Sequence, residues 1–195
     1  MYKINFNFID TYKRKDGLID GGLRKFTKKK KPLFSIITVV YNGEKFLEKT
    51  ITSVINQSCK DFEYIVIDGG STDKSLEIIK KYEKKIDYWV SEKDKGIYDA
   101  FNKGMIVSKG EFIGFINSDD IYKKDALNII SNYIEKNKVA DFIFGSVKKH
   151  WGILHGYKPH KIKYSWGFYS SHSTGFFIKR KVAEKVGFYN IKYKY

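Results

Sequence analysis

Two adjacent carboxylates, Asp119 and Asp120, close a stretch that begins as an apolar run, Phe112-Ile-Gly-Phe-Ile-Asn-Ser-Asp-Asp120. Neighbouring acids repel when both are ionised, and a divalent cation relieves that cost. Asn and Asp are equally at home in an Asx turn or at a helix N-cap, so the stretch by itself leaves a metal site and a cap both open. Two more polar clusters follow apolar runs in the same way. Tyr41-Asn42 comes after Phe34 to Val40, and Asp68-Gly-Gly-Ser-Thr-Asp73 comes after Phe62 to Ile67. Tyr41 can stack on a base, or pack as an ordinary aromatic. Asp68 can accept hydrogen bonds from a base amide or a ribose hydroxyl, and Gly69 and Gly70 allow a ligand close to the backbone. The plainer alternative for Asp68 to Asp73 is a turn in which Ser71 or Thr72 caps the next helix.

The elements needed to hold these clusters together are legible. The runs at Phe34–Val40, Phe62–Ile67 and Phe112–Ile116 are continuously apolar, as strands buried on both faces of a parallel sheet are. Helical spacing fills the intervals: Glu44–Gln57 with Leu47, Ile51, Val54 and Ile55, the segment carrying Leu76, Ile79 and Tyr82, and Ile97–Val107. A short strand at Tyr88–Val90 precedes a polar loop, Ser91–Gly96. Another helix carries Leu127, Ile130 and Ile134, and another strand spans Phe142–Phe144. Repeated β–α alternation predicts an α/β fold, a mostly parallel sheet with helices on both faces. In such a sheet all three polar clusters leave at one edge, where ligands bind. Neither a GxxxxGK[ST] loop nor a GxGxxG turn is present, so any phosphate must be held differently. A cation on Asp119 would do so, and hard oxygen ligands favour Mg or Mn.

The chain of 195 residues can form one domain with a self-sufficient core. Its net charge of +15 comes almost wholly from Lys and suits nucleotide phosphates, nucleic acid or an acidic membrane, unless the lysines merely solvate the surface. Arg occurs only at 14, 24 and 180, which argues against nucleic acid, since Arg is the commoner reader of bases. Cys59 is the lone cysteine, which excludes a disulfide framework and fits a cytoplasmic, reducing compartment. No run reaches the length of a membrane span, so membrane contact would be peripheral. Residues 1–31 read as a basic leader in which Ile4, Phe6 and Phe8 allow a short edge strand and Lys28–Lys31 form a cationic run. Residues 32–145 carry the α/β pattern. In 146–195, Trp151, Tyr157, Tyr164, Trp166, Phe168 and Tyr169 are scattered among Gly, Lys and His, which predicts irregular strands and loops before a strand at Ser173–Ile178 and a helix at Lys179–Val186. His150, His155 and His160 match no zinc spacing and read as surface residues.

Four motifs together resemble the family 2 glycosyltransferases, and more narrowly their bacterial surface-polysaccharide, colanic acid-like members. They are Phe34-Ser-Ile-Ile-Thr-Val-Val-Tyr-Asn42, Ile67-Asp-Gly-Gly-Ser-Thr-Asp73, Asp94-Lys-Gly-Ile-Tyr-Asp-Ala-Phe-Asn-Lys-Gly104 and Asn117-Ser-Asp-Asp120. The resemblance runs from about Leu33 to the C-terminus. It implies a GT-A fold with a Rossmann-like half that binds a nucleoside-diphosphate sugar over 32–145 and the start of an acceptor-binding part over 146–195. It also implies an inverting, divalent-cation-dependent transfer to a glycan or lipid-linked acceptor at the inner face of the plasma membrane. By position, Val39 and Tyr41 line the base pocket, Asp68 contacts the base, and Asn42 and Ser71 lie beside them. Asp94, Lys95, Gly96, Asp99 and Asn102 fall near the ribose and sugar. Asn117-Ser118-Asp119 stands in the place of the Asp-x-Asp motif, with Asn117 departing from its leading Asp. Asp119 is then the metal ligand, and Asp120 reaches the metal through water or positions the donor sugar. His172 lies where similar enzymes present a His to acceptor or metal. The family's general base follows the segment resembling Lys185–Asn190, so it is expected beyond Tyr195. Two alternatives stay open: a truncated, non-catalytic nucleotide-sugar-binding remnant, and a nucleotidyltransferase, for which Tyr41-Asn-Gly-Glu44 is a poor triphosphate loop.

Overall fold

The computed structural model describes residues 17–26, 31–149, 152–154, 173–187 and 189–192. Its centre is β2 (Phe34–Val40), every residue of which is buried. Alternate side chains of β2 enter two separate cores. Phe34, Ile36 and Val40 face one, and Ile37 and Val39 face the other. The same split divides β3 (Phe62–Asp68) and β5 (Phe112–Asn117), so apolar side chains on both faces are what the continuous runs encode. The first core is covered by α1 (Leu47–Ile55), α2 (Ser75–Lys81) and α4 (Ala126–Lys136). The second is covered by α3 (Ile97–Val107) and α5 (Arg180–Val186).

Seven strands form the main sheet in the order β1-β4-β3-β2-β5-β9-β6, with β1 Ile19–Gly21, β4 Tyr88–Ser91, β6 Phe142–Phe144 and β9 Phe176–Lys179. Strands β4, β3, β2 and β5 are parallel, while β1 and β9 run against their neighbours. The chain lays down β2, β3 and β4 outward in one direction and then returns to the other side of β2 to make β5. The order therefore reverses beside β2, which is where open α/β sheets form a ligand crevice. Register aligns the strand ends: Val40 pairs with Asp68, Asp68 with Ser91, and Val39 with Asn117. This mostly parallel sheet covered on both faces is the expected fold.

Several boundaries differ from expectation. The sheet does not start at Leu33, because Ile19–Gly21 pairs with Trp89–Ser91 as an edge strand. Arg24 secures this segment from inside: its guanidinium lies 2.5 Å from Glu63 Oε2 and donates to Val107 O at 2.7 Å. The boundary placed after residue 31 thus cuts off part of the sheet. Helix α1 starts at Leu47 rather than Glu44, since residues 43–46 form tight turns closed on Gly43 O. Neither Ser71 nor Thr72 caps α2; Asp73 accepts the Ser75 N–H at 2.9 Å instead. After Gly145 a regular hairpin forms from β7 (Val147–Lys149) and β8 (Gly152–Leu154). Ser173–Gly175 is a 3-10 turn rather than the start of a strand. The expected edge strand at Ile4–Phe8, the lysines at 28–30, the aromatics from 151 to 169 and all four histidines lie outside the described residues.

Candidate active site

The carboxyl ends of β2, β3 and β5 surround a cleft of about 960 Å³. Its wall includes Val39, Tyr41, Asn42, Gly69, Gly70, Asp94, Gly96, Asn117, Ser118 and Asp119, drawn from all four motifs. The predicted convergence of separate polar clusters is therefore real. Asp68, Ser71, Lys95, Asp99, Asn102 and Asp120 do not line the cleft, and their hydrogen bonds show why.

Asp68 is 0% exposed. Its carboxylate accepts the Ser71 N–H at 3.2 Å and the Ser71 and Ser91 hydroxyls at 2.5 Å each. It organises the turn after β3 and the end of β4, and it lies behind the cleft wall rather than in it. Ser71 in turn accepts the Asn42 N–H at 2.8 Å, and the Asn42 side-chain oxygen accepts the Thr72 N–H at 2.9 Å. Gly43 N donates to Ser75 Oγ, Glu44 N to Asp73, and Lys74 N to Glu44, each at 2.9 Å. The loops after β2 and β3 are thus laced into one wall. Asn42 holds φ 52°, a left-handed conformation that Asn tolerates better than most residues. Above the lacing, Tyr41 stands 64% exposed with its ring available to a flat ligand.

Helix α3 and the loop before it supply the next side. Asp94 accepts the Gly96 N–H at 2.9 Å, and Asp99 accepts the Lys95 N–H at 3.0 Å. A Cβ on residue 69 would fall 2.4 Å from Asp94 Oδ2, so glycine is needed at 69 for this carboxylate to sit in the wall. Burial raises the Asp94 pKa above the ordinary carboxylate range. Asn102 was expected near the sugar, but its amide pairs with both backbone groups of Tyr189 at 2.9 Å. The Tyr189 ring stacks on Tyr98, 5.3 Å between centroids, so Asn102 works as a clip for the segment after α5.

At the end of β5 the two adjacent acids separate. Asp120 accepts from Asn117 Nδ2 at 3.2 Å and from the Thr174 hydroxyl, and the buried Thr50 hydroxyl holds Ser118 O and Asp120 O at 2.8 Å. Neither acid caps α4, whose N-cap position is Asp125. Asp119 is exposed in the cleft and has no hydrogen-bond or ion-pair partner among the described residues. Asn117 Oδ1 is buried and also lacks a hydrogen-bond partner among them. Two unused hard oxygens at one strand end fit a Mg or Mn ion. No group of three or more His, Cys, Asp or Glu side chains suited to a metal occurs among the described residues. A cation here would draw its other ligands from phosphate and water, as Mg commonly does.

Phe46, Thr72, Lys93, Ile97 and Ala100 also line the cleft, and none of them was named as a site residue from the sequence, where Thr72 stood only as a candidate cap. Lys93 is the one cation among the described residues of the wall. Its place beside Asp94 in a polar loop was a usable signal, whereas the 42% exposure of Ile97 at the start of α3 shows only in the structure.

The model of glycosyl transferase family 2 matches residues 35–192. The chain belongs to this family. An uncharacterized glycosyltransferase of Methanocaldococcus jannaschii is 32% identical over 170 residues, covering 80% of this chain and 59% of its own length. The chain spans about half the length of the curated relatives it matches. Among solved structures, S. aureus TarS 1–349 superposes with a TM-score of 0.67 at 22% identity, over 83% of this chain and 51% of TarS 1–349. The same TarS fragment in complex with UDP gives 0.65 at 21%, over the same shares of each chain. A mannosyltransferase from Pyrobaculum calidifontis, in complex with GDP-Man and Mn2+, gives 0.61 at 15%, over 95% of this chain and 54% of that one. At these identities the likeness is one of fold. The family match begins after β1 and the Arg24 anchor, which are therefore additions to the matched region.

Proposed function

We propose that the protein is a metal-dependent, inverting glycosyltransferase that takes its sugar from a nucleoside-diphosphate donor and serves bacterial surface-polysaccharide assembly. The observation that carries this is an Asp119 carboxylate and an Asn117 Oδ1, both without a partner among the described residues, in one cleft that also offers an exposed Tyr41. Tyr41 stacks on the base, and Asp94 accepts hydrogen bonds from the nucleoside. Lys93 adds positive charge toward the diphosphate. Asp119 and Asn117 Oδ1 would hold the divalent cation, which when bound would supply charge neutralisation for the departing nucleoside diphosphate. In the transfer, the acceptor hydroxyl oxygen bonds to the anomeric carbon as the bond to the diphosphate oxygen breaks. Asp94 and Asp119 are committed to nucleoside and cation, so the hydroxyl proton goes to another carboxylate. The acceptor in this reading is a glycan or lipid-linked sugar. The net charge of +15 supports peripheral contact with the anionic inner face of the plasma membrane. No helix among the described residues is long and apolar enough to cross a membrane.

Calorimetry with UDP, GDP and their sugars, with and without Mn, tests the reading. One of these ligands binds with an affinity that Mn raises, and Asp119→Ala abolishes the increase. Mn-independent binding, or no binding to any of them, defeats the proposal. The matching fold of UDP-bound TarS and of the GDP-Man mannosyltransferase supports the choice of ligands.

A further inference from the structure

The polar loop after β4 is tied to α3 through a lysine that solvent barely reaches. Lys103 has a side chain 3% exposed, and its Nζ lies 2.7 Å from Glu92 Oε1 and 3.7 Å from Asp99 Oδ2. Glu92 is itself buried, with 7% of its side chain exposed. Lysine and glutamate are almost never buried so deeply unless paired, and a buried pair is seldom worth more to stability than apolar residues of the same volume. A role beyond stability is therefore the natural question. Glu92 opens the loop that carries Lys93, Asp94 and Gly96 into the cleft wall, so the Lys103–Glu92 pair fixes the start of that loop against the helix. The Lys95 N–H to Asp99 bond fixes its far end. Between these ties Asp94 is pressed onto the Gly69 backbone.

The charges facing Asp94 come from every side. Lys103 and Asp99 lie on α3, Asp68 at the end of β3, Asp119 in the cleft wall at the end of β5, and Glu92, Lys93 and Lys95 on its own loop. Burial, with Asp99 and Asp68, favours the protonated acid, while the Gly96 N–H and Lys103 oppose it. We infer that Lys103 is a positioning residue, which clamps the Glu92–Gly96 loop to α3 and keeps Asp94 in the cleft wall as the anion that receives the nucleoside. The inference rests on the nucleotide-sugar reading of the cleft, but its first test does not need a nucleotide.

Carboxyl ¹³C NMR titration of Asp94 in the ligand-free protein provides that test. The double variant Glu92→Gln/Lys103→Met removes both charges of the buried pair together and raises the Asp94 midpoint. Lys103→Arg, which keeps the charge, moves it less. Glu92→Gln alone leaves Lys103 freer to serve Asp94 and lowers the midpoint, so the test survives failure of the double variant to fold. Calorimetry with UDP and GDP then shows the double variant losing about threefold or more in affinity at pH 8, where only the released loop acts, and losing more at pH 5, where a smaller ionised fraction of Asp94 adds to it. An Asp94 midpoint that stays put in these variants, with stability alone altered, overturns the inference. If no nucleotide binds to the wild type, the reading of the cleft fails, while the midpoints still decide the role of Lys103.

Discussion

Asp68→Ala removes one acceptor from three donors at the end of β3: the Ser71 N–H and the hydroxyls of Ser71 and Ser91. A hydrogen bond to a charged group contributes about 1.5–3 kcal/mol, and a buried donor left unpaired costs about 1–3 kcal/mol. The hydroxyls can turn toward water that enters the vacated space. The Ser71 N–H is fixed by the backbone and cannot. Counting that donor in full and the hydroxyls in part, the loss comes to about 3–5 kcal/mol, a large share of a typical domain's stability. Asp68→Asn keeps the shape and one oxygen, and should lose about half as much. Urea unfolding followed by circular dichroism measures both, provided the denaturant slope is unchanged. A loss below about 1 kcal/mol for Asp68→Ala would refute the reasoning. Nucleotide binding supplies the second arm. Asp94→Asn, with its acceptor facing the cleft, should lose more affinity than Asp68→Asn when both are folded. The reverse order would return the base contact to Asp68.

Arg24→Met strands the buried Glu63 carboxylate, which retains Ser35 Oγ and the Lys109 N–H, each at 2.5 Å. A destabilisation of about 3 kcal/mol in urea unfolding is expected, at the low end for a broken buried pair, and a change under about 1 kcal/mol would show that the N-terminal segment is not anchored there. For Asp73, burial opposes the charge, but hydrogen bonds from Ser75 and the Glu44 N–H outweigh it and hold the carboxyl below its usual range. A depressed carboxylate stabilises the fold above its unfolded pKa, and that stability is lost as pH falls through the folded value. Asp73→Asn should therefore cost about 1 kcal/mol at pH 7 and flatten the acid limb of stability against pH, whereas an unchanged acid limb would contradict the assignment.

The sheet was legible because β2, β3 and β5 are buried on both faces, and that demand leaves an unbroken apolar run. The span of α3 was legible for a related reason: its apolar spacing ends where Ser108 and Gly110 break it. Strand β1 was not, since three residues, Ile-Asp-Gly, owe their conformation to the β4 edge and to Arg24 rather than to any local pattern. The hairpin β7–β8 is as short and carries no alternation. At the site, residue type marked the right loops without dividing the labour within them. Asp68, Asn42, Ser71 and Asn102 are chemically able to bind a ligand, and each is also bonded to backbone or side chains 3 to 87 residues away, with only Asn42 of the four in the cleft wall. The choice of Asp119 over Asp120 came from the family resemblance, since residue type alone does not make it: it depends on Thr174 reaching Asp120 from a distant turn. Nothing in residue type separates Lys103 from the other lysines, and its burial comes from the docking of α3.

The central claim is that the cleft at the ends of β2, β3 and β5 holds a nucleoside-diphosphate sugar on a divalent cation. A crystal structure grown with Mn and whichever of UDP or GDP binds would test it most directly. The account predicts an anomalous manganese peak against Asp119, with the diphosphate beside it and the base against Tyr41 and Asp94. Manganese or nucleotide bound elsewhere on the protein, with this cleft vacant, would contradict it.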